Sequence, residues 1–343
     1  MGIAFADIDD IVLETQENFV KKGAFLDMQT DLADHVAVRE MWGDRKKSFE
    51  GGHPWRFDVQ MDHNHSFRTV GMYETDGSSV NDTMKEGEVP VRHVNAHYIY
   101  DQREKAFQAG GKAIVNYIKS KYIAMMVSFY EGMETLLWSK PATSADDKTP
   151  FGLAYWITRS ISEGFNGGNP TGFTGGKAGI DQGTYTRWAN WTNQYTNVTK
   201  EDLVRKMRTA HRKIQFRSPI SHAQPDLAAM KNGIYTNSDV IGIMEEVLES
   251  QNMNLGNDLA SKDGRTTFKS TPVTYAPKLD DDSADPVYML DWKWLAIGVL
   301  AGWENNLTAP YMVAGKHLVR RVDLDASLNM ICTNLRRQAV INK

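Results

Sequence analysis

The chain has 343 residues, of which 41% are hydrophobic, and this share supports a sizeable core and excludes a wholly disordered protein. Its 39 basic and 43 acidic residues give a net charge of −4, which argues against tight, sequence-independent binding of nucleic acid by the chain as a whole. Cys332 is the single cysteine, so neither an intrachain disulfide nor a zinc site built of several cysteines can form. No apolar run reaches the roughly 18 residues of a membrane helix, so no membrane partner is predicted.

The first hundred residues predict two appendages. In residues 1–50, apolar residues recur every three or four positions from Ile8 to Leu26, which is typical of an amphipathic arm that lies on another surface. Residues 51–100 alternate polar and apolar side chains around the turn Asp76–Ser79, which predicts a long β-hairpin. Because the hairpin is rich in charges and poor in large aliphatic residues, it needs a partner surface.

The stretch 101–138 is predicted to be a long amphipathic helix, because its apolar residues follow a stripe of spacing three and four. A helix of that length spans roughly 50 Å and usually serves as a spine for other elements. A glycine-rich stretch follows at 163–180. It is interpreted as a flexible connector or a turn in which two backbone segments approach closely.

The rest of the chain mixes helices and strands without a regular βαβ order. Thr199 is predicted to be the N-cap of one helix, and Asn237 or Ser238 the N-cap of another. Strand-like runs occur at 266–275 and 287–290, and the run 318–341 reads as paired strands. The predicted fold class is α+β.

Several patterns invite a chemical interpretation. Lys177 follows a glycine, as in a phosphate-binding loop, but Ala178 stands where that motif has Ser or Thr. His63 and His65 lie on one side of a predicted strand next to Asp62 and could ligate a metal, although neighbouring polar residues on an exposed loop are more often only solvated.

The acidic residues between 280 and 285 could bind calcium, but they lack the spacing and the glycine of a hand-type loop, which favours a solvated loop. No Gly-x-Ser-x-Gly elbow is present, and Cys332 lies in a predicted strand without a nearby histidine. The sequence therefore predicts no catalytic residue and no cofactor, and it favours a structural protein over an enzyme.

A family resemblance rests on the run Gly179–Asn190. This run resembles the segment Gly-Ile-Asp-x-x-x-Tyr-x-x-Trp-Arg-Asn of many tailed-bacteriophage major capsid proteins, and it departs at Ala189, where the family frequently has arginine. The helix from Thr199 to Phe216, the turn Tyr235–Asp239 and the closing segment Asn334–Ile341 are also similar to that family. The matches cover roughly residues 165–250 and 318–343, and the remainder agrees in layout.

The resemblance implies an α+β fold often called the Johnson fold. It implies self-assembly into the hexamers and pentamers of an icosahedral shell around double-stranded DNA, in a virion assembled in the host cytoplasm, with no catalysis. The implied partners are other copies of the chain, a portal, DNA held by weak non-specific contacts, and possible decoration proteins. The implied parts are an N-terminal arm (1–50), an extended loop (51–100), a peripheral domain (101–215) with a spine helix (101–138), an axial domain (216–290) and a return to the peripheral domain (291–343).

The predicted contacts with neighbouring subunits lie in the arm and the hairpin. The residues selected for these contacts are Trp42, Arg56, Arg68, Tyr73, Glu86, Arg92 and Tyr98. Basic residues of one helix could face the DNA, although a solvated helix face or an intersubunit salt bridge is their more usual role. These are Arg205, Lys206, Arg208, Arg212 and Lys213.

Three further expectations concern assembly. About fifty residues precede the hairpin, too few for both an arm and a cleaved scaffolding segment, so we expect a separate scaffolding protein or self-driven assembly. No motif indicates covalent crosslinking between subunits. The alternatives are an encapsulin-type compartment that encloses cargo enzymes, a soluble metal enzyme that uses His63 and His65, and a phage tail or fibre subunit that forms tubes or trimers.

Overall fold

The computed structural model describes residues 35–43, 45–74, 83–103, 111–215, 232–252 and 266–343. Within these ranges, the helices are α1 (Val36–Trp42), α2 (Gly111–Trp138), α3 (Leu153–Trp156), α4 (Arg205–Ile214), which a π-helical turn (Lys200–Val204) precedes, and α5 (Ser238–Asn252). The strands are β1 (Lys46–Phe49), β2 (Trp55–Gln60), β3 (Met84–Val89), β4 (Arg92–Asp101), β5 (Gly164–Gly167), β6 (Asn190–Gln194), β7 (Asn232–Thr236), β8 (Thr267–Phe268), β9 (Thr271–Tyr275), β10 (Val287–Asp291), β11 (Leu295–Leu300), β12 (Asn306–Leu307), β13 (Tyr311–Met312), β14 (Val319–Cys332) and β15 (Ala339–Asn342). Every helix in the described part of the chain is too short or too polar to cross a lipid bilayer.

The first sheet has six strands and is organised around β14. Strands β4, β11, β12 and β13 all pair with β14 antiparallel, and β1 extends the sheet by pairing parallel with β11. Helix α2 packs against β4, and α1 packs against both α2 and β11. Their buried side chains form the larger hydrophobic core, with Trp156 inside it donating its indole N–H to the carbonyl oxygen of Met330 at 3.1 Å.

The second sheet has seven strands in the order β5-β6-β15-β10-β7-β9-β8. Helix α4 turns Met207, Ala210 and Ile214 toward this sheet, because residues three and four apart share one helix face. These residues join Met244 of α5 and Phe268 of β8 in a second, smaller core.

The third unit is a two-stranded hairpin. Strands β2 and β3 pair antiparallel from Trp55 opposite Val89 to Gln60 opposite Met84. The base of the hairpin is attached to the body: Trp55 is buried and stacks on Phe49 with 4.6 Å between ring centroids.

Several predicted elements are confirmed. The class is α+β, and strands lie at 271–275 and 287–291 where strand-like runs were predicted. Thr199 caps the helix that follows it, since its hydroxyl oxygen accepts a hydrogen bond from the backbone N–H of Asp202 at 3.2 Å. Of the two candidates for the next cap, Asn237 has this role, because its Oδ1 accepts from the N–H of Val240 at 3.1 Å.

The predicted hairpin and helix boundaries need correction. The hairpin expected over 51–100 ends at Val89, and residues 92–101 form β4 of the six-stranded sheet. The helix expected over 101–138 does not begin at Asp101, which is the last residue of β4 and pairs with Val319; the described helix runs over Gly111–Trp138. An alternating pattern shows that a segment is a strand, but it does not show which strand is its partner.

Three more expectations differ from the structure. Residues 36–49 of the expected arm contribute α1 and β1 to the body, while residues 1–34 and the expected turn Asp76–Ser79 lie outside the described residues. Strands β14 and β15 do not pair with each other but belong to different sheets. The predicted boundary at 215–216 does not separate two cores, because α4 packs in the same core as β7 and β10.

Candidate functional site

The three most exposed of the large apolar side chains in the described residues lie in the segment 61–74, which follows β2 and has neither helix nor strand. We call this segment the apolar loop. Phe67, Met72 and Tyr73 expose 95%, 93% and 101% of their surface. Large apolar side chains that are exposed together on one loop are typical of a surface that another molecule covers. The apolar loop is therefore the first candidate site.

The two histidines of the suspected metal site lie at the start of this loop. The Oδ1 atom of Asp62 accepts a hydrogen bond from the backbone N–H of His63 at 2.9 Å and lies 2.7 Å from Nε2 of His65. The hydrogen bond with His65 holds the pKa of the Asp62 carboxyl below its usual value. Across the described residues, no group of three His, Cys, Asp or Glu side chains is arranged to hold a metal ion. The three residues thus form a polar turn that opens the loop.

Two of the predicted contact residues pair within their own hairpin. Arg56 lies 3.5 Å from Glu86 and 3.1 Å from Glu88, both across the β2–β3 ladder. About half of each side chain is exposed, so these pairs contribute roughly 0–1 kcal/mol. They also remain accessible to another molecule. Two further predicted residues, Arg68 and Tyr73, lie in the apolar loop.

The remaining three predicted contact residues contact their own chain. Arg92 donates to the backbone carbonyl oxygens of Asp146, at 3.1 Å, and of Asp147. Tyr98 is buried next to a second tyrosine of β4. Trp42 is buried with its ring edge-on to Phe129, and the centroids are 6.2 Å apart. The structure therefore brings the apolar loop and the hairpin together as one exposed region and places Trp42 and Tyr98 in the core.

The glycine-rich stretch 163–180 is a tightly packed turn around a buried lysine. The ammonium group of Lys177 donates to Gly167 O at 2.9 Å, to Asn190 Oδ1 at 3.0 Å and to Thr158 Oγ1 at 3.1 Å. A side chain at Gly167 would place its Cβ only 2.1 Å from Asn190 Oδ1, so this close approach requires glycine. Because Lys177 is fully buried, it cannot contact a phosphate from solution.

The residues that carry the family resemblance close this turn. Asp181 accepts hydrogen bonds from Asn169 Nδ2 at 2.6 Å and from the N–H of Gly183 at 3.0 Å. Trp188 donates its indole N–H to the carbonyl oxygen of Lys177 at 3.1 Å. Ala189 is fully buried, so this position has no exposed surface for the arginine that is frequent in the family. The signature is therefore a structural element.

Burial of Lys177 predicts a specific pH dependence of stability. Desolvation lowers the pKa of Lys177 from its ordinary 10.5 to about 7. Between these two values the unfolded chain binds one proton more than the folded chain at this residue, so the free energy of unfolding rises with pH. From pH 7 to 8.5, wild type should gain about 1.5 kcal/mol relative to Lys177→Met.

Urea unfolding at several pH values measures this difference. The range stops at pH 8.5 because a second buried group titrates above it. Burial raises the pKa of the Cys332 thiol from 9.0 to about 12, so at higher pH this thiol lowers the free energy of unfolding as the pH rises, opposite to the effect of the lysine. The exposed Lys148→Met variant is the control, and it should show the same pH dependence as wild type. Parallel curves for wild type and Lys177→Met would show that the buried amine does not titrate in this range.

The acidic segment 280–285 joins separate elements. Asp280 accepts a hydrogen bond from the N–H of Ser238 at 2.9 Å, and Asp282 pairs with Arg159. Asp285 pairs with Lys343 at 2.9 Å. Since these carboxylates point to different partners, they do not form a calcium site.

Helix α4 exposes a basic face. Arg205, Arg208, Arg212 and Lys213 are exposed and form no ion pair with any residue of the described ranges. Lys206 differs, because it pairs with Asp202. This face could attract an anionic polymer through weak contacts.

Sequence reasoning missed Glu134. This carboxylate is buried, and it accepts hydrogen bonds from the N–H of Ala37 at 3.1 Å, the N–H of Val38 at 2.9 Å and Nε1 of Trp138 at 2.6 Å. Two of its three donors are free N–H groups of the first turn of α1, which have no partner within that helix. Glu134 therefore attaches α1, and with it the start of the described chain, to α2. A charged residue on the apolar stripe of α2, next to Met133 and Leu137, was the available signal.

Comparison with known proteins identifies the fold. No protein-family model and no curated protein matches the chain. Among solved structures, the capsid asymmetric unit of cyanophage A-1(L) matches with a TM-score of 0.61 at 15% identity, over 90% of this chain and 92% of that chain. The capsid of a native GTA particle matches with a TM-score of 0.57 at 10% identity, over 90% of both chains.

A third match is the encapsulin complex from Synechococcus elongatus, with a TM-score of 0.50 at 9% identity, over 90% of this chain and 86% of that one. Similarity at these identities establishes the fold. The tailed-phage capsid fold expected from the sequence motif is confirmed, and it extends over nearly the full length of the matched chains.

Proposed function

We propose that the chain is the major capsid protein of a tailed bacteriophage or prophage, which assembles into the hexamers and pentamers of an icosahedral shell around double-stranded DNA. The fold carries this proposal, because the capsid subunits of a cyanophage and of a GTA particle match over about 90% of each chain. The proposed role is structural, without catalysis or a cofactor.

The apolar loop supports the proposal physically. Phe67, Met72 and Tyr73 are almost fully exposed in the described part of the chain, so their apolar surface favours contact with another subunit. A single contact of this kind contributes only a modest binding free energy. A closed shell repeats it for every subunit, and simultaneous engagement multiplies its effect.

The charge distribution suits a container for DNA. The net charge of −4 opposes tight adhesion to a polyanion, while the exposed basic face of α4 provides a local site for weak, salt-dependent contact. In the proposed shell Arg205, Arg212 and Lys213 of this face would lie toward the DNA.

The proposal includes further partners. We infer a portal and either a separate scaffolding protein or self-driven assembly, with decoration proteins as possible additions. The protein would act in the virion after assembly in the host cytoplasm.

A second candidate is an encapsulin-type compartment, which the match to the Synechococcus elongatus encapsulin favours. Its TM-score of 0.50 is below the values for the cyanophage capsid and the GTA capsid, 0.61 and 0.57. The two functions differ in content: a capsid encloses DNA, whereas a compartment encloses protein.

Negative-stain electron microscopy of the purified full chain tests the proposal. We expect closed shells or capsomer rings. Shells made in cells and treated with nuclease should retain protected DNA, whereas protected protein cargo would support the compartment. Tubes or trimers would indicate a tail or fibre subunit. A monodisperse monomer at high concentration would contradict every shell function.

A further inference from the structure

A cavity of about 210 Å³ lies between α4, α5 and the β8–β9 hairpin. Its apolar lining comes from Val198, Val204, Met244, Val247 and Phe268. Apolar cavities of about 150 Å³ hold a benzene-sized group, so this one has room for a large apolar side chain. Met244 and Phe268 belong to the second core, so the cavity adjoins that core.

The rim of the cavity is cationic. Lys200, Arg208 and Lys269 line it, are exposed, and form no ion pair within the described parts of the chain. The Nζ atom of Lys269 lies 3.4 Å from Nδ1 of His211, a contact that supplies no negative charge. In the lining, Thr266 Oγ1 donates a 3.4 Å hydrogen bond to Oε1 of Glu245. This one carboxylate does not neutralise three cations.

The rim lysine is held in an unusual backbone conformation. Lys269 and Ser270 have φ values of 46° and 65°, and they form a two-residue turn between Phe268 and Thr271. Such a turn favours glycine or asparagine, and the left-handed conformation costs other residues roughly 1 kcal/mol each. The turn places Phe268 in the wall of the cavity and Lys269 on its rim.

We propose that this cavity binds residues 5–17 of this chain. That segment contains five acidic and no basic residues, interspersed with Phe5, Ile8, Ile11 and Leu13. It thus combines the two properties that the cavity complements: large apolar side chains for the lining and carboxylates for the rim. Residues 18–34 connect it to α1 and give it a reach of about 60 Å.

Charge distinguishes this occupant from two other segments of the chain that flank the site in sequence. Residues 253–265 contain two acidic and two basic residues, and residues 216–231 contain one acidic and two basic. Neither has the excess negative charge that three rim cations select. Binding of residues 5–17 in the cavity does not require a shell, because the segment can come from the same chain as well as from a neighbouring one.

Carbodiimide crosslinking of the full chain tests the proposal, because it joins a lysine only to a carboxylate in direct contact. We expect Lys200 and Lys269 to be joined to acidic residues of the segment 5–17, as identified by peptide mass spectrometry. Lys316, which is exposed elsewhere, should show no such product. A mixture of isotopically light and heavy chains shows whether the contact lies within one chain or between two.

A charge reversal is the second arm of this test. Arg208→Glu should lower the yield of these crosslinks at least fivefold, whereas Lys316→Glu should leave it unchanged. Products that join the rim lysines to Asp258 or Asp263, or a failure of these lysines to reach residues 5–17, would overturn the proposal. Either result can be obtained whether or not shells form, so the outcome is independent of the proposed function.

Discussion

Glu134→Ala is expected to lower the free energy of unfolding by about 3–5 kcal/mol. The substitution removes a buried carboxylate and leaves the N–H groups of Ala37 and Val38 and the indole N–H of Trp138 without their acceptor. A hydrogen bond to a charged group contributes about 1.5–3 kcal/mol, and each buried donor left unpaired adds a desolvation cost. Equilibrium unfolding in urea measures the loss.

The matched control is Glu131→Ala, on the same helix one turn earlier. Glu131 is exposed, so its replacement should change the free energy of unfolding by less than about 0.5 kcal/mol. Glu134→Gln keeps an acceptor oxygen and the side-chain volume, and it should lose about 1–2 kcal/mol. This milder variant provides the measurement if the alanine variant fails to fold. Equal losses of the free energy of unfolding in Glu134→Ala and Glu131→Ala would contradict the attachment of α1 to α2 by Glu134.

The contact of Glu134 with α1 also affects the segment that precedes α1. The buried Glu134 fixes the first turn of α1, and residues 1–34 precede that turn directly. Residues 5–17 are therefore connected, through residues 18–35, to a helix start that Glu134 holds against α2. Removal of the Glu134 carboxylate should weaken any contact made by residues 5–17, because part of the binding free energy would then be spent on ordering α1.

Sequence patterns predicted which segments form helices and strands better than they predicted which strands pair with each other. Thr199 was recognised as a cap, and Asn237 as one of two candidates for the next cap, because capping is a local interaction within three residues. Strand β4 was recognised as alternating but was assigned to the hairpin, whereas it pairs with β14, more than 200 residues away. Pairing across that separation depends on tertiary packing, about which a local pattern carries no information.

The candidate site residues show the same contrast between local properties, which the sequence predicts, and tertiary packing, which it does not. The hairpin was predicted to need a partner surface because it is rich in charges and poor in large aliphatic residues, and the side chains of Arg56 and Glu86 are about half exposed. Trp42 and Tyr98 were selected for the same contacts but are buried, because a large aromatic residue near an appendage fits a core equally well. Lys177 was considered only for phosphate binding; its burial depends on Thr158 and Asn190, which flank it at a distance in the sequence.

The double variant Phe67→Ser/Tyr73→Ser is expected to abolish shell assembly without destabilising the subunit. Both side chains are almost fully exposed in the single chain, so their removal should change the free energy of unfolding by less than about 0.5 kcal/mol. In a subunit contact, burial of each would contribute about 2 kcal/mol. Together they account for a roughly 1000-fold change in the affinity of one contact. Sedimentation velocity and electron microscopy measure the loss of large particles.

The control is His63→Ala, which changes an exposed polar residue of the same loop and should assemble as wild type does. The comparison also separates the two explanations of the loop. A metal enzyme would depend on His63 and tolerate the loss of Phe67 and Tyr73, whereas a shell subunit would do the opposite. Assembly of the double variant at the wild-type concentration would show that the apolar loop lies outside the subunit contacts, even where shells form. Exposed apolar surface that is retained on a stable chain is costly in water, and a contact with a neighbouring subunit removes that cost.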